Sequence, residues 1–530
     1  MPAHETLDRY SLAPERATAP CERVWGIACL LLAVVAIGAG WPLLLRASAV
    51  VQFDYNEGWN AFRAQQAAHL VPLYGAPPRL DITNYPPLSF HIVGLLSHLA
   101  FDVVLIGRLL SLASLAVICL AIRSITRQFV PSGHAGDCAA LLFVVWLEVW
   151  MPNRVGVNDP QLLGMAFELT GFYCFIRQPR SSRAIAASAI LFSLAVFTKH
   201  NLLALPLGTG ASLLLNREWR LLSRWVAAGL LSTALLLAMT EAIDGPYFLA
   251  HLLHGRDYQI SEAFHQSLPY LAVFLPFFGI AGAWAYRNRS RTRQQPLALS
   301  WLAAHVTAFV FSGGDGTARN MFFEAIVLNA IIAAIAFQDY LARSGGVSAM
   351  RAACLLAFPM LFPACFLPAK VAASMREWRE IPRLEDEFTK GVALLKAATA
   401  PVVCENLLMC YRAGKIPAFD PSFVMDQIVV GRINECEIVD MVETQRLSTV
   451  EFGDADVPAP ATRQRFTKLF RQTVAERYRI ALRTPEFSIA VPAGGLQSSP
   501  GGGMACAKVQ RSGAAIPAER PRVEGAIGNP

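Results

Sequence analysis

The sequence specifies a mainly α-helical, polytopic membrane protein of about eleven transmembrane helices, followed by an α/β domain on the extracytoplasmic side. Three observations predict this. The 530 residues are 54% hydrophobic and only 16% charged, with a mean hydropathy of +0.40, whereas soluble domains carry about 25% charged residues. Apolar runs recur along the first two thirds of the chain. Charge then becomes dense: residues 1–375 hold 26 Lys+Arg and 20 Asp+Glu, and the much shorter remainder, 376–530, holds 20 and 19. An ordinary soluble enzyme and a disordered chain are both excluded. The net charge of +7 reflects arginines at membrane edges rather than a nucleic-acid partner.

The polar segment 1–23 carries Arg9, Arg16 and Arg23 and is expected to lie in the cytoplasm. Val24 to Leu45 is the first span. It is too long for a signal-peptide core and no small-residue cleavage site follows it, so it reads as a retained anchor. Further apolar runs fall at about 103–122, 136–151, 160–176, 184–198, 201–215, 225–243, 268–286, 296–311, 321–342 and 350–368. Several are shorter than the ~20 residues of an ideal span, which hairpins with polar tips inside the protein would explain.

The run Pro87 to Phe101 reads either as a span or as a helix on the outer surface, and arginine decides between them. If it does not cross, the inner loops hold Arg123, Arg127, Arg177, Arg180, Arg183, Arg217, Arg220, Arg224, Arg287, Arg289, Arg291, Arg293, Arg343 and Arg351. If it crosses, all of these move outside, against the positive-inside rule. The non-crossing solution puts segments 46–102, 152–159, 198–201, 244–267 and 312–320 on the outer face, together with everything after about 369. Chemistry is therefore expected there.

Asp54 and Glu57 follow the first span and are three residues apart, so at a helix start they share a face. A carboxylate at a membrane surface can act as general base. The competing reading is helix capping by Asp54 with Glu57 at N3, and spacing leaves the two even. Asp159, in Asn153-Arg154-Val155-Gly156-Val157-Asn158-Asp159-Pro160, sits at the mouth of a span, where acids are costly and often functional. An N-cap with Pro160 at N1 is the plain alternative. Lys199, beside His200 at an outer hairpin tip, is the one lysine before Lys370 in a chain that otherwise uses Arg. A compact ammonium suits a phosphate oxygen; a solvated turn is the structural alternative. Gly313-Gly314-Asp315-Gly316 precedes Arg319, Asn320 and Glu324; Gly-rich backbone at a helix start cradles anions, and Arg319 adds a fork of donors. His251 and His254 are three apart, but surface histidines explain them better than a metal site.

These pieces, in order, resemble the GT-C glycosyltransferases, in particular the bacterial branch related to protein O-mannosyltransferases and aminoarabinose transferases. The resemblance rests on Asp54-x-x-Glu57-Gly58-Trp59, Leu73-Tyr74-Gly75, Asn84-Tyr85-Pro86-Pro87-Leu88, Gly107-Arg108-Leu109-Leu110-Ser111, Asn158-Asp159-Pro160, Phe197-Thr198-Lys199 and Gly314 to Glu324. It implies a GT-C-like enzyme that takes sugar from a polyprenyl-phosphate donor on the extracytoplasmic face of the bacterial inner membrane. The acceptor would be a lipid, a glycan or a protein, and the anomeric centre would invert. Implied catalytic residues are Asp54, Glu57 and Asp159; implied donor-phosphate ligands are Lys199, His200, Arg319 and Asn320; implied substrate contacts are Tyr85, Arg154, Asn158 and Glu324. No metal ligand is assigned, and a divalent cation is left open as cofactor. Two departures matter. Many relatives have adjacent Asp-Glu, whereas Tyr55-Asn56 splits the pair here, leaving the base open. Asn84-Tyr85 also replaces the Glu-Lys pair of the aminoarabinose enzymes, which argues against the lipid A substrate.

The expected organisation is a cytoplasmic segment 1–23, a catalytic membrane domain 24–370 with surface helices in loop 46–102, an extracytoplasmic α/β domain 371–492 and a disordered tail 493–530. In the α/β domain, Pro401 to Cys404 and Leu447 to Phe452 read as strands, and Glu405 to Ala413 and Ile428 to Gln445 as helices. Cys404, Cys410 and Cys436 allow one disulfide there. Two rival functions remain: a transporter, which would carry mid-membrane charges and two similar halves, and an O-antigen polymerase or ligase, which would carry its large outer loop late. Here the large loop comes first.

Overall fold

The computed structural model describes residues 19–494 apart from 77–79, 100–101, 131, 255–256, 315, 400 and 454–464. The expectations for 1–18 and for the tail from 495 fall outside the described residues.

The membrane part is a bundle of antiparallel helices. Helix α1 spans Ala19–Leu45, starting before Val24 because Cys21 to Arg23 continue the same helix. Two short helices follow: α2 (Asn56–Ala68) and α3 (Leu88–Ser97). Thus the ambiguous run forms ten residues of helix, too short to span. Next come α4 (Val103–Thr126), α5 (Gly133–Trp150), α6 (Gln161–Arg177), α7 (Ser182–Thr198), α8 (Ala204–Leu215) and α9 (Trp219–Asp244). The short α10 (Phe248–Leu252), then α11 (Ile260–Asn288), α12 (Gln295–Ser312) and α13 (Phe323–Ala397) complete the bundle. Local sequence sets several starts. The Asp102 carboxylate accepts from the N–H groups of Val104 and Leu105, and Ser132 and Ser181 cap α5 and α7 in the same way.

Among the described residues, six helices are long and apolar enough to cross a membrane: Glu22–Ser48, Val103–Thr126, Gly133–Trp150, Trp219–Asp244, Ile260–Asn288 and Arg319–Ala342. Of the other expected runs, those in α6 and α7 form 17-residue helices and that in α8 a 12-residue one, while 296–311 falls in the 18-residue α12 and 350–368 within α13.

Helix α13 contains 75 residues of continuous helical backbone, yet its two halves lie against opposite ends of α1. Trp25 Nε1 donates to Gln338 Oε1 at 2.7 Å, while Trp378 meets Trp41 with ring centroids 6.2 Å apart. At 1.5 Å per residue Trp25 and Trp41 are about 24 Å apart, whereas a straight helix would separate residues 338 and 378 by about 60 Å. The stretch between Gln338 and Trp378 is therefore not straight.

The helix ends sort by chemistry. One end collects arginine-bearing turns, where Arg123 pairs with Asp137, Arg224 donates to Ser182 Oγ at 2.7 Å and Arg293 reaches the Gln128 carbonyl. The other end collects Asp54, Glu57, Asn158, Asp159, Lys199, Asn201 and Asn320, all buried.

The C-terminal domain is α/β. It comprises β1 (Val402–Cys404), α14 (Leu407–Arg412), α15 (Pro421–Val429), α16 (Glu435–Glu443), β2 (Thr449–Gly453), α17 (Lys468–Arg477), β3 (Tyr478–Arg483) and β4 (Phe487–Pro492). The sheet order is β1-β2-β4-β3, with β1 parallel to β2 and the other pairs antiparallel. Two corrections follow. The expected helix 428–445 is two helices, broken at Gly431, whose φ of 74° lies in the left-handed region. The β3–β4 hairpin, which closes the sheet, was not expected at all. Cys404 and Cys410 form a disulfide.

This domain docks onto the first loop. Ala61, Val104, Leu408 and Ile489 share one apolar cluster. Gly58 on α2 lies so close to α14 that a Cβ there would overlap the backbone of Leu407 and Leu408. Arg412 pairs with Asp102, and Gln52 Oε1 accepts from the Leu408 N–H at 3.3 Å.

Candidate active site

The first loop is shaped by Arg108, a fully buried arginine one turn into α4. Its Nη1 and Nη2 donate to the carbonyls of Ala49 and Val51 at 2.5 and 2.7 Å. Its Nε and Nη2 hold the two oxygens of Glu57 at 2.7 and 2.8 Å. Glu57 also accepts from the N–H groups of Phe53 (2.8 Å) and Asn158 (3.0 Å). This carboxylate is fully buried and every lone-pair direction is used. Glu57 thus ties loop 46–56, α4 and the Asn158 segment together.

Asp54 is held differently. Its Oδ1 accepts from the Asn56 N–H at 3.0 Å, and its Oδ2 pairs with Arg154 Nη1 at 2.9 Å. The expected N-cap by Asp54 is not formed, because the N-cap of α2 is Tyr55; Asp54 instead closes a turn onto the Asn56 N–H. Burial raises the Asp54 carboxyl above its ordinary pKa, with Arg154 opposing the shift.

Asp159 lies beside this pair. Its Oδ1 accepts from the Gln161 N–H at 2.8 Å, and Lys199 Nζ stands 3.3 and 3.4 Å from its two oxygens. Burial acts to raise the Asp159 carboxyl, but Lys199 and Arg154 outweigh it and hold it below the ordinary value. Lys199 mirrors this: burial opposes its charge, Asp159 more than restores it, and its pKa is raised. Lys199 is only 2% exposed, so the solvated-turn reading does not hold. Its ammonium also sits 4.2 Å from the centroid of the Tyr85 ring. Tyr85 in turn packs edge-on against Trp59 at 5.4 Å.

The remaining candidates spread around this centre. Asn158 fits because Gly107 lacks a side chain; a Cβ there would overlap the Asn158 carboxamide. Asn320 Nδ2 donates to Gln161 Oε1 at 3.3 Å, linking the Gly-rich loop to the Asp159 turn. Arg319 is half-buried and makes no hydrogen bond or ion pair among the described residues. Glu324 Oε1 accepts from the Ala204 N–H at 2.9 Å, and Glu168 Oε1 from the Leu205 N–H at 3.2 Å, so these acids cap the start of α8. His200 flanks Lys199 and is half-buried. Asp315 lies outside the described residues.

His251 is buried rather than on the surface. Its Nδ1 accepts from the Thr83 N–H at 3.1 Å and its Nε2 donates to the Gly75 carbonyl at 2.7 Å. It pins the first loop and is separate from His254, which meets Gln427 at 2.8 Å. Among the described residues no three His, Cys, Asp or Glu side chains gather to hold a metal ion. Sequence reasoning missed Arg108 as the organiser of the loop, although a single arginine inside the run 103–122 was the signal. It also missed Arg46, whose Nη2 donates to the carbonyls of Pro152 and Val155 at 2.5 and 3.0 Å.

The model for glycosyltransferase family 87 matches residues 83–337. The fold is similar to the crystal structure of ArnT from Cupriavidus metallidurans in the apo state, at 12% identity and a TM-score of 0.57, covering 89% of this chain and 98% of that one. Over residues 83–337 the chain is similar to this glycosyltransferase family, and its fold is of the GT-C kind. The chain also resembles the same protein bound to undecaprenyl phosphate, at 14% identity and a TM-score of 0.53, over 91% of this chain and all of that one. No curated protein matches it in sequence. The matched region begins at Thr83, so it includes Arg154, Asp159, Lys199 and Arg319 but not Asp54 or Glu57.

Proposed function

We propose that this enzyme transfers a sugar from a polyprenyl-phosphate donor to a hydroxyl-bearing lipid, glycan or protein acceptor, with inversion, on the extracytoplasmic face of the bacterial inner membrane. The observation that carries the reading is the Asp54–Arg154 and Asp159–Lys199 pairing at one end of the bundle. There a carboxylate with a raised pKa stands among cations suited to a phosphate. The complex of ArnT with undecaprenyl phosphate supports the class of donor. The disulfide in the C-terminal domain suits an oxidising compartment, and the arginine-rich turns at the opposite end suit the cytoplasm.

In this reading Asp54 is the general base. Glu57 is saturated by Arg108 and two backbone N–H groups, and Asp159 is held by Lys199. Asp54 takes the proton of the acceptor hydroxyl as its oxygen attacks the anomeric carbon. The bond from that carbon to the phosphate oxygen breaks, and polyprenyl phosphate leaves with the electron pair. Arg319, Lys199, Asn320 and His200 stabilise that phosphate, while Tyr85, Arg154, Asn158 and Glu324 frame the sugar. Residues 24–370 form the catalytic membrane domain and 371–492 the outer domain that closes over the first loop.

The test is the pH profile of turnover with a polyprenyl-phosphate sugar. A base acts when ionised, so a raised pKa places the acidic limb above the ordinary carboxylate range, with the rate rising as pH rises through it. Asp54→Asn is expected to lower turnover by about 10²–10⁴-fold and to abolish that limb. A variant with near-normal turnover and an unchanged limb refutes Asp54 as base.

A further inference from the structure

Tyr55 and Asn56 split the two acids of the first loop, and Tyr55 has no part in the chemistry above. Loop 46–56 is gripped from two sides. From the bundle side, Arg108 takes the carbonyls of Ala49 and Val51, and Glu57 accepts from the Phe53 N–H. From the C-terminal part of the chain, Glu385 Oε1 accepts from the Val50 N–H at 2.9 Å, and the Leu408 N–H donates to Gln52 Oε1. The two sides meet at Asp54 and Tyr55. Asp54 reaches Arg154 in the bundle, while the next residue, Tyr55, reaches the C-terminal domain. The Tyr55 hydroxyl donates to Asp420 Oδ1 at 2.9 Å, its ring centroid lies 3.3 Å from the Arg465 guanidinium carbon, and it joins an apolar cluster with Leu407 of α14. Asp420 is buried and is itself fixed: Oδ1 also accepts from the N–H groups of Ser422 and Phe423 at 2.9 and 3.3 Å, capping α15, and its own N–H donates to the Leu80 carbonyl at 3.0 Å. Two separate points of the first outer loop, Tyr55 and Leu80, thus converge on one residue of the C-terminal domain. Burial holds the Tyr55 phenol well above its usual pKa, so it stays a hydrogen-bond donor wherever a carboxylate titrates.

We propose that Tyr55 is a positioning residue for Asp54: through its contacts with Asp420 and Arg465, the C-terminal domain sets the orientation of the base. The assignment rests on the reading of Asp54 as general base. The backbone carries the coupling. Tyr55 is the N-cap of α2, with helical φ and ψ of −52° and −37°. The Asp54 carbonyl accepts from the Glu57 N–H at 3.0 Å, and Asp54 Oδ1 accepts from the Asn56 N–H at 3.0 Å, so residues 54–57 form one closed turn. Arg108 immobilises Glu57 at one end of that turn. The anchored Tyr55 ring fixes its middle, which leaves Asp54 only its own side-chain torsions to set. A misplacement of about 1 Å at a reacting group costs about 10²-fold in rate, so a small rotation of this turn is enough to matter. The C-terminal domain is then part of the active site rather than a cover over it, and the residues that split the two acids are the joint.

The experiment compares the full-length enzyme with Tyr55→Phe, Asp420→Ala, the double variant and Asp420→Asn. Tyr55→Phe keeps the ring beside Arg465 and removes only the hydroxyl. It is expected to lower kcat by about 10-fold, the value of one hydrogen bond to a charged group. The KM for the polyprenyl-phosphate donor and the affinity for undecaprenyl phosphate should not change, because the proposed phosphate ligands lie on other elements. Asp420→Ala should lower kcat at least as far, and the double variant no further than Asp420→Ala alone, since both changes remove one contact. Asp420→Asn keeps Oδ1, which alone accepts from Tyr55, Ser422 and Phe423, and should turn over within about 3-fold of the parent. Hydrogen exchange across residues 50–57 should rise in Tyr55→Phe while that of α5 stays at the parent level. Parent-like kcat or parent-like exchange in Tyr55→Phe, additive losses in the double variant, or a raised donor KM in place of the kcat loss each overturns the proposal. If Tyr55→Phe does not fold, Arg465→Gln weakens the same contact from the other side; it should lower kcat by about 3-fold at constant donor KM, and an unchanged kcat overturns the proposal. Failure of the base reading shows separately, as normal turnover in Asp54→Asn with exchange in Tyr55→Phe still raised.

Discussion

Glu57→Gln separates structure from catalysis at this site. The carboxylate receives Arg108 Nε at 2.7 Å, Arg108 Nη2 at 2.8 Å, the Phe53 N–H at 2.8 Å and the Asn158 N–H at 3.0 Å, and neither Glu57 nor Arg108 reaches solvent. Glutamine keeps the shape but replaces one acceptor oxygen with an NH₂ group. Whichever way the amide turns, that NH₂ faces an Arg108 nitrogen and a backbone N–H, donor against donor. The guanidinium also loses its counter-charge in a buried site. Removing one partner of such a pair costs about 3–5 kcal/mol, well above the 0–1 kcal/mol of an exposed ion pair. The loss should appear as reduced stability in detergent, read by thermal unfolding and by protease sensitivity of loop 46–56. Asp54→Asn removes a carboxylate with a single cationic partner, whose ionised form burial already disfavours, so it should lower stability less than Glu57→Gln while losing turnover. If Glu57→Gln unfolds at the parent temperature yet loses turnover, while Asp54→Asn turns over normally, the division of roles is wrong and the base is Glu57.

Lys199→Ala should raise the KM for the donor more than it lowers kcat, because its proposed role is a charge on the lipid phosphate; an unchanged donor KM in steady-state kinetics removes that role. Single cysteines at the exposed positions Arg289 and Glu437 should react from opposite sides of intact cells or oriented vesicles, with Arg289→Cys cytoplasmic and Glu437→Cys extracytoplasmic. Labelling of both from one side refutes the orientation. Gly58→Ala should loosen the docking of the C-terminal domain, since the new Cβ meets the Leu407–Leu408 backbone; hydrogen exchange across 402–412 should rise, and protection equal to the parent would contradict this interface.

Much of the bundle was legible because it is written in one-dimensional terms. Apolar runs between arginine-bearing turns gave helices at nearly their observed bounds, since every backbone polar group in hydrocarbon must be satisfied within the helix. Pro86-Pro87 and the arginine count gave α3 as a short non-crossing helix. The C-terminal domain was half legible. The strands expected at 401–404 and 447–452 form at Val402–Cys404 and Thr449–Gly453, but the β3–β4 hairpin went unseen because Tyr478 to Arg483 carries an exposed, arginine-flanked pattern typical of an edge.

The order of Asp54, Glu57, Asp159 and Lys199 along the chain is a property of the sequence, and so is the chemical class of each. Which of them are paired is not, because Asp54 meets Arg154 and Asp159 meets Lys199 across separate helices, at separations in the chain that carry no periodic signal. The two acids of the first loop looked equivalent at three-residue spacing. Arg108, fifty-one residues beyond Glu57, makes them unequal by taking both oxygens of one and leaving the other to Arg154. That Asn60 Oδ1 and Ser89 Oγ are buried without a hydrogen-bond partner belongs wholly to the tertiary structure, because an unpaired buried oxygen exists only once every other partner has been placed.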